Sequence, residues 1–212
     1  MNEKRVYTFG NGQAEGNASM REVLGGKGAN LAEMNHIGVP VPPGFTITTD
    51  TCNEYYRVGQ EKIVELLTDE VNAAVAHTEK LMNCKFGDPK NPLLVSVRSG
   101  ARASMPGMMD TILNLGLNDE VAEGMVEKTG NPHFVYDSYR RFVQMYGDVV
   151  LGMKPENKED IDPFEAIIEK VKQEQGVVLD KDLSVESLKK LVELFKKAIK
   201  EQTGSDFPTD PK

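Results

Sequence analysis

The sequence predicts an α+β fold that is predominantly helical by residue count. Short β-branched and aromatic runs alternate with helical apolar periodicity before about residue 117, and only helical periodicity follows Asn118. Hydrophobic residues make up 39% and charged residues 27%, a balance typical of a globular chain. We therefore predict an α/β part over residues 1–117, a helical subdomain over residues 118–203 and a linker-like tail over residues 204–212.

The first predicted strand covers residues 6–9, where Val-Tyr-Thr-Phe is β-branched and aromatic. It ends in a segment rich in Gly and Asn at residues 10–16. From Gly28 onward, apolar residues recur at helical spacing until Gly38, so a helix is predicted there.

A proline-rich connector at residues 39–44 leads into the second predicted strand, because proline fixes the backbone and lacks a donor. Residues 45–48 alternate like a half-buried strand. Residues 63–75 carry the apolar stripe of a long amphipathic helix. Residues 93–97, Leu-Leu-Val-Ser-Val, predict a buried strand.

The second part contains four predicted helices. The first begins at Asn118 and ends at Gly130, and the next has a Val-Tyr-Phe-Tyr stripe that ends at Gly147. Asp162 is the predicted N-cap of the third helix, since proline follows at the first helical position and glutamate at the third. Ser184 opens the last helix.

Charge and composition exclude several classes of protein. The net charge of −8 disfavours a general nucleic-acid binder, and no apolar run approaches the roughly 18 residues of a membrane span. The N-terminus lacks the pattern of a secretory signal, so we expect a cytoplasmic protein. Cys52 and Cys84 are far apart, and His36, His77 and His133 have no ligand spacing, so we expect no metal site or hydrolase triad.

The stretch from Ser96 to Thr111 is the most informative candidate site. It follows the best predicted strand and contains Arg98, Arg102, Gly100 and Gly107 among small and hydroxyl residues. Small residues let backbone N–H groups converge on an anion, and arginine adds bidentate contacts to phosphate oxygens. The alternative is an ordinary turn with solvated arginines.

A second candidate is the Gly-Gly-Lys-Gly segment around Lys27, at the start of a predicted helix. Helix N-termini favour anions, and a lysine there can reach a phosphate. It is not a Walker A loop, because Arg21 stands where the first glycine belongs and Gly28 replaces the Ser/Thr. An ordinary turn remains the alternative.

A third candidate is the segment at residues 136–142, which sets Arg140 and Arg141 in an aromatic helix stripe. Tyr139 and Phe142 are predicted core residues. We expect one arginine to pair with a nearby acid, and either could reach toward a cleft.

These segments closely resemble the N-terminal part of the pyruvate, phosphate dikinase family. The resemblance is carried by residues 25–34, residues 41–45, the Ala-Arg-Ala-Ser-Met-Pro-Gly-Met-Met-Asp-Thr string at residues 101–111 and residues 136–142. It runs from about Val6 to Phe142 and continues more loosely to the end.

The resemblance implies an ATP-grasp-like nucleotide-binding lobe, with ATP and Mg²⁺ as cofactors. The family converts ATP, phosphate and pyruvate to AMP, pyrophosphate and phosphoenolpyruvate, and passes a phosphoryl group to a histidine on a separate swivelling domain. By motif position, Lys27 and Arg98 are the implied catalytic residues that contact the nucleotide phosphates. The other implied cofactor-binding residues are Gly100, Ala101, Arg102, Ser104, Met105, Gly107, Thr111 and Arg141.

The resemblance also implies that the chain is a fragment. Family chains are several times longer, and the metal ligands, the second ATP-grasp lobe, the phosphohistidine domain and the pyruvate barrel would lie beyond Lys212. We therefore expect a monomer that is inactive alone, although the full-length family is homodimeric. The alternatives are a non-catalytic nucleotide-binding or interaction module, against which the linker-like tail argues, and a lobe of another ATP-grasp enzyme, against which the Met-Pro-Gly-Met-Met loop argues.

Overall fold

The computed structural model describes residues 4–100, 109–155 and 161–210. The chain is 59% helical and 11% strand, which confirms the predicted α+β class with a helical majority. It divides into two compact units. The first comprises Met1–Cys84 and Ser99–Met109, and the second comprises Lys85–Arg98 and Asp110–Lys212.

The first unit has a small antiparallel sheet and helices. Its strands are β1 Val6–Gly10, β2 Gln13–Ala14 and β3 Gly44–Ile47, and its helices are α1 Arg21–His36, α2 Thr49–Val58 and α3 Gln60–Met82. The strand order is β2-β1-β3, with Val6 opposite Ile47 and Phe9 opposite Gly44. A Cβ at Gly44 would lie 3.0 Å from the Phe9 ring, so glycine leaves room for that ring to pack.

The core of the first unit lies where α1 and α3 contact the sheet. Its buried hydrophobic residues are Val6, Phe9, Leu24, Ala29, Ala32, Ile63 and Ala74. The buried residues of β1 and α3 belong to the runs that the apolar periodicity predicts. Helix α1 differs, because it buries Leu24, Ala29 and Ala32, whereas Met34 and Ile37 of its predicted stripe are 37% and 67% exposed.

Helix α2 has no counterpart among the predicted elements. Thr51 is its one buried residue, so it lacks the apolar stripe that periodicity detects. The helix is defined by its cap, because the Thr48 hydroxyl accepts a hydrogen bond from the Thr51 backbone N–H.

The second unit combines a two-stranded ribbon with a helical bundle. Its elements are β4 Val95–Arg98, β5 Thr111–Leu115, α4 Asp119–Thr129, α5 Pro132–Met145, α6 Pro163–Gln175 and α7 Val185–Thr203, with a π-helical turn at Tyr146–Val150. The ribbon is antiparallel, and its register shifts between Val95 and Val97.

Side-chain caps define the starts of the four α-helices in this unit. Asn118, Asn131, Asp162 and Ser184 each accept a hydrogen bond from a backbone N–H in the first turn. Gly130 ends α4 in the left-handed conformation that glycine adopts without strain.

The helices bury one apolar cluster. Its fully buried side chains include Val121, Val135, Tyr139, Val143, Phe164, Ile168, Leu188, Leu191, Val192, Phe195 and Ile199. The rings of Phe164 and Phe195 meet edge to face, with centroids 4.9 Å apart. Tyr139 and Phe142 are therefore core residues, as the aromatic stripe predicts.

Gly147 does not end the helix, contrary to the expectation from sequence. The chain continues from α5 into the π-helical turn, and Gly147 is buried inside it. A Cβ there would lie 2.4 Å from the Phe164 ring, so the position is glycine because an aromatic ring packs against its Cα.

The two compact units divide the chain at other residues than the predicted boundary near residue 117, and the predicted domain division stays a prediction. β5 packs against α5, β4 pairs with β5, and both strands belong to the second unit. The tail also packs, since Phe207 is 8% exposed and contacts the rings of Phe142 and Tyr146. The Asn118 side-chain amide donates a hydrogen bond to the Thr209 carbonyl.

Candidate functional site

The Gly-Gly-Lys-Gly segment lies within α1, at a break in the helix. Gly25 has φ 67° and ψ 170°, a non-helical conformation that only glycine adopts without strain. The regular helix therefore restarts at Gly26, directly before Lys27. The N-terminal end of a helix favours anions, so the restart after Gly25 is a place where an anion would be stabilised.

The two glycines that flank Lys27 have different surroundings. A Cβ at Gly28 would lie 2.7 Å from Thr46 Cγ2 and 2.9 Å from its Oγ1, so α1 contacts β3 too closely for a side chain. A Cβ at Gly26 would meet nothing within 4 Å. Gly28 thus allows α1 to pack closely against β3, while Gly26 faces open space.

The Lys27 ammonium donates a hydrogen bond to the Ser99 backbone carbonyl, with 2.9 Å from Nζ to O. Both residues belong to the first unit. No carboxylate of the described residues pairs with Lys27, whereas Lys4, Lys172 and Lys196 each pair with at least one. Since the Ser99 carbonyl is neutral, the positive charge of Lys27 is held in place without being neutralised.

Arg98 is the last residue of β4 and lies opposite Thr111 in the ribbon. Its side chain is exposed and forms no ion pair with another described residue. The register therefore brings Arg98 and Thr111 together in the second unit. Lys27 and Gly100 belong to the first unit, and Gly100 is also exposed.

Several of the predicted loop residues lie outside the described part of the chain. They are Ala101, Arg102, Ser104, Met105 and Gly107. Their implied role in a phosphate-binding loop stays a prediction.

Arg141 is exposed and pairs with Asp137, one turn earlier on α5, at 3.0 Å from Nε to the carboxylate. Arg140 is buried and pairs with Asp137 at 2.8 Å and with Asp180 at 2.9 Å. The expected pairing of an arginine with a nearby acid therefore occurs at both positions. Because Asp137 offsets the charge of Arg141, the contacts of Arg141 with other described residues do not indicate a phosphate at this position.

Two groups of the second unit have shifted pKa values. Burial raises the pKa of the Tyr139 phenol, and the nearby Asp119 carboxylate, which accepts its hydrogen bond, raises it further. Burial raises the pKa of Asp148 to about 6, aided by the negative charge of Asp162. Among the described residues, Asp148 Oδ1 is buried with no hydrogen-bond partner. Both groups belong to the helical second unit.

Two polar surface clefts are lined by residues other than the predicted site residues. One lies in the second unit between the start of α4, α7 and the tail, and its Lys196 and Lys200 pair with Asp119 and Asp206. The other lies in the first unit at the start of α2, where Arg5 pairs with Glu54. Paired charges of this kind stabilise local structure and leave little charge for a ligand.

The described residues contain neither a metal-binding cluster nor a membrane-spanning helix. No group of three or more His, Cys, Asp or Glu side chains there is arranged to hold a metal ion. No helix within those same ranges has the length and apolar character needed to cross a membrane.

Sequence reasoning missed the residues that hold Lys27 in position. The Ser99 contact uses a backbone carbonyl, which has the same chemistry at every residue and so gives no signal in the sequence. The contact of Thr46 with Gly28 depends on how β3 packs on α1, which spacing along the chain does not determine. The Gly-Gly-Lys-Gly pattern is the sequence signal that locates the break in α1 beside Lys27.

The whole chain was compared with known protein families. A family model described as "Pyruvate phosphate dikinase, AMP/ATP-binding domain" matches residues 21–83 and 60–207. These matches cover most of the chain and include both Lys27 and Arg98. The chain therefore belongs to this family of nucleotide-binding domains, which confirms the resemblance found in its motifs.

Similar proteins are named pyruvate, phosphate dikinase. The protein of Clostridium symbiosum is 55% identical over 210 residues, which is 99% of this chain and 23% of that protein. The chloroplastic protein of Flaveria trinervia is 52% identical over 99% of this chain and 21% of its own length. The protein of Rhizobium meliloti is 50% identical over 98% of this chain and 22% of its own length. The chain thus spans less than a quarter of each of these relatives.

Proposed function

We propose that this chain is the N-terminal ATP-binding portion of a pyruvate, phosphate dikinase. In that enzyme ATP, phosphate and pyruvate would be converted to AMP, pyrophosphate and phosphoenolpyruvate. The observation that carries the proposal is Lys27, an unneutralised cation at a glycine-flanked helix restart in a chain of the AMP/ATP-binding family.

The proposed roles follow from the charge of the nucleotide. Lys27 and Arg98 would contact the β- and γ-phosphates, because phosphoryl transfer depends on positioning and charge neutralisation. Backbone N–H groups from Gly100 to Gly107 would add uncharged donors around the same phosphates. Thr111 and Arg141 stay proposed as further contacts to the nucleotide or to a neighbouring domain.

The surroundings of Lys27 support this assignment. A carboxylate partner would offset the charge of the ammonium and would repel an incoming phosphate, so a lysine paired in that way would bind the phosphate less strongly. Lys27 has a carbonyl partner instead and retains two further N–H donors. The open space in front of Gly26 leaves room for a bulky anion at the helix end.

The remainder of the reaction would take place elsewhere in a longer enzyme. We propose an ATP-grasp-like arrangement, with a second lobe that supplies the Mg²⁺ ligands. A histidine on another domain would accept the phosphoryl group, and a barrel domain would deliver it to pyruvate. Mg²⁺ would shield the phosphate oxygens, while the residues of this chain would bind and orient them. A cytoplasmic location and a monomeric fragment of a homodimeric enzyme complete the proposal.

Isothermal titration with Mg²⁺–ATP tests the proposed function. We expect weak binding by the 212-residue chain and no detectable binding by the Lys27→Ala, Arg98→Ala double variant, since two phosphate contacts are lost. Lys128→Ala is the matched control, because this lysine also contacts a neutral acceptor, Asn91 Oδ1 at 2.6 Å.

Two results would contradict the proposal. Equal binding by the wild type and the double variant would separate nucleotide binding from these residues. Complete dikinase turnover by the chain alone would mean that the reaction needs no further lobe or domain.

A further inference from the structure

The Ser99 carbonyl accepts a hydrogen bond from Lys27 and has no role in the proposed function described above. Lys27 Nζ lies 2.9 Å from the backbone oxygen of Ser99, which follows β4 in the sequence. The two residues are 72 positions apart in the chain. A contact of this kind joins the helix restart to the segment that leads into the predicted phosphate-binding stretch.

The type of acceptor decides what the contact can do. Lys172 pairs with Glu169 and Asp180, and Lys196 pairs with Asp119, so their charges are offset. The Ser99 carbonyl occupies one N–H of Lys27 and carries no net charge. It therefore fixes the direction of the ammonium and leaves its charge available to an anion.

A fixed direction matters because lysine has a long and flexible side chain. Immobilising such a side chain on binding costs about 0.5–1.5 kcal/mol of conformational entropy, or a factor of about 2 to 10 in affinity. A contact that already holds the ammonium reduces that cost. Lys27 is also half-buried, which limits the freedom of its side chain further.

We propose that the Ser99 backbone carbonyl is a positioning group, which holds Lys27 oriented for the phosphate oxygens of a nucleotide and stays bonded to it when the nucleotide is bound. This inference rests on the proposed function, since it concerns the same lysine. Lys27 has three N–H donors, so one can remain on Ser99 while the other two reach phosphate oxygens. No bond needs to break for the anion to bind.

Nuclear magnetic resonance of the chain tests this role, with ¹⁵N at the lysine ammonium groups and ¹³C at the serine carbonyls. We expect a scalar coupling across the hydrogen bond between Lys27 Nζ and the Ser99 carbonyl, both before and after Mg²⁺–ATP is added. We also expect the Lys27 ammonium to be more ordered than that of the exposed Lys170 before ATP is added. A purely steric role of the lysine stem would produce neither signal.

Substitutions at Lys27 test whether its hydrogen bond to Ser99 contributes to the affinity for ATP. Lys27→Met should remove the Ser99 coupling and weaken ATP binding by about 10- to 100-fold, the usual effect of losing a hydrogen bond to a charged group. Lys27→Arg keeps the charge and a donor, and should recover part of the affinity. Lys128→Met, which loses a lysine contact to a neutral acceptor, should bind ATP like the wild type.

These experiments distinguish a failure of the positioning role from a failure of the proposed function. If calorimetry detects ATP binding but the coupling disappears on binding, or Lys27 is as mobile as Lys170 beforehand, the positioning role is wrong and the proposed function stands. If the folded chain binds no ATP, the proposed function fails and the positioning role fails with it.

Discussion

At the residue scale, the glycines around Lys27 are needed for different physical reasons. Gly25 adopts a backbone conformation that excludes a side chain, and Gly28 lies in close contact with Thr46. Gly26 meets neither condition, since space is open where its side chain would be. One sequence pattern therefore combines a chain break, a packing contact and an accessible surface, and only the last concerns the ligand directly.

The close contact at Gly28 gives a stability prediction. Gly28→Ala should lower the free energy of unfolding by about 1–3 kcal/mol, because the new Cβ would overlap the Thr46 side chain. Thr46→Ala in the same chain should restore part of that loss, since it removes the overlapping Cγ2 and Oγ1 atoms. Urea unfolding of the two single variants and the double variant measures the coupling.

Gly26→Ala is the matched control for Gly28→Ala, because it adds the same methyl group to the same turn where space is open. It should change stability little, or raise it through the helix propensity of alanine. Equal destabilisation by both alanine variants, or no coupling between Gly28 and Thr46, would contradict the packing explanation.

The sequence indicates a glycine-flanked lysine at Lys27 but not its hydrogen-bond partner, and the predicted role of Lys27 at a phosphate stays a prediction. A glycine-flanked lysine at a helix start is a local pattern, and residues that are neighbours in the sequence are also neighbours in the folded chain. The Ser99 carbonyl is common to every residue type, and only the fold brings it to Lys27. Arg98 lies at the strand end where the sequence predicts it, but its predicted role at a phosphate depends on a ligand and stays a prediction.

At the scale of single elements, local chemistry predicts helix starts well. Asp162 accepts hydrogen bonds from the backbone N–H groups of Phe164 and Glu165, as its position before proline indicates. The sequence did not predict β5 or α2, because β5 contains the polar Asn114 at φ 61° and α2 buries little apolar surface. The end of α5 was misplaced, because Gly147 is required by Phe164 from another helix rather than by a local stop.

The π-helical turn contains the group with the clearest pH dependence. The folded-state pKa of Asp148 is raised to about 6 from its ordinary value of 3.8, because the carboxyl is buried near Asp162. The unfolded chain therefore loses this proton at lower pH than the folded chain. Its contribution to stability is fully present below about pH 4 and is lost as pH rises through about 6.

Asp148→Asn should accordingly stabilise the protein at neutral pH, because it removes a buried carboxylate with an unpartnered oxygen. After a discount for partial exposure to solvent, we expect a gain of about 1 kcal/mol above pH 7 and little change at pH 4. Chemical unfolding at both pH values measures the effect, with the exposed Asp69→Asn as control. A gain of equal size at both pH values would show that ionisation is not the cause.

The tail supplies a third test, because its one large aromatic side chain packs on the bundle. Phe207 is 8% exposed and contacts the rings of Phe142 and Tyr146 with centroids 5.8 and 5.2 Å apart. Phe207→Ala should lower the free energy of unfolding by about 3 kcal/mol through lost burial. Phe134→Ala is the control, since Phe134 is 54% exposed. Equal effects of the two variants in urea unfolding would mean that the tail does not pack as described.

At the scale of the whole molecule, the chain is acidic and its proposed ligand is an anion. With a net charge of −8, the overall field disfavours a nucleotide, so binding must depend on local cations and on N–H groups. This makes Lys27 more important than its single charge suggests. It also explains why composition excluded nucleic-acid binding but could not exclude a small phosphate site.

Calorimetry with ATP and with AMP, on the wild-type and Lys27→Met chains, decides whether Lys27 recognises the phosphates that only ATP carries. We expect the variant to lose about 10- to 100-fold in affinity for Mg²⁺–ATP, because one charge-assisted hydrogen bond is lost, and to bind AMP within about twofold of the wild type. Equal losses for ATP and AMP, or no loss for either, would contradict the proposed role of Lys27 at the β- and γ-phosphates.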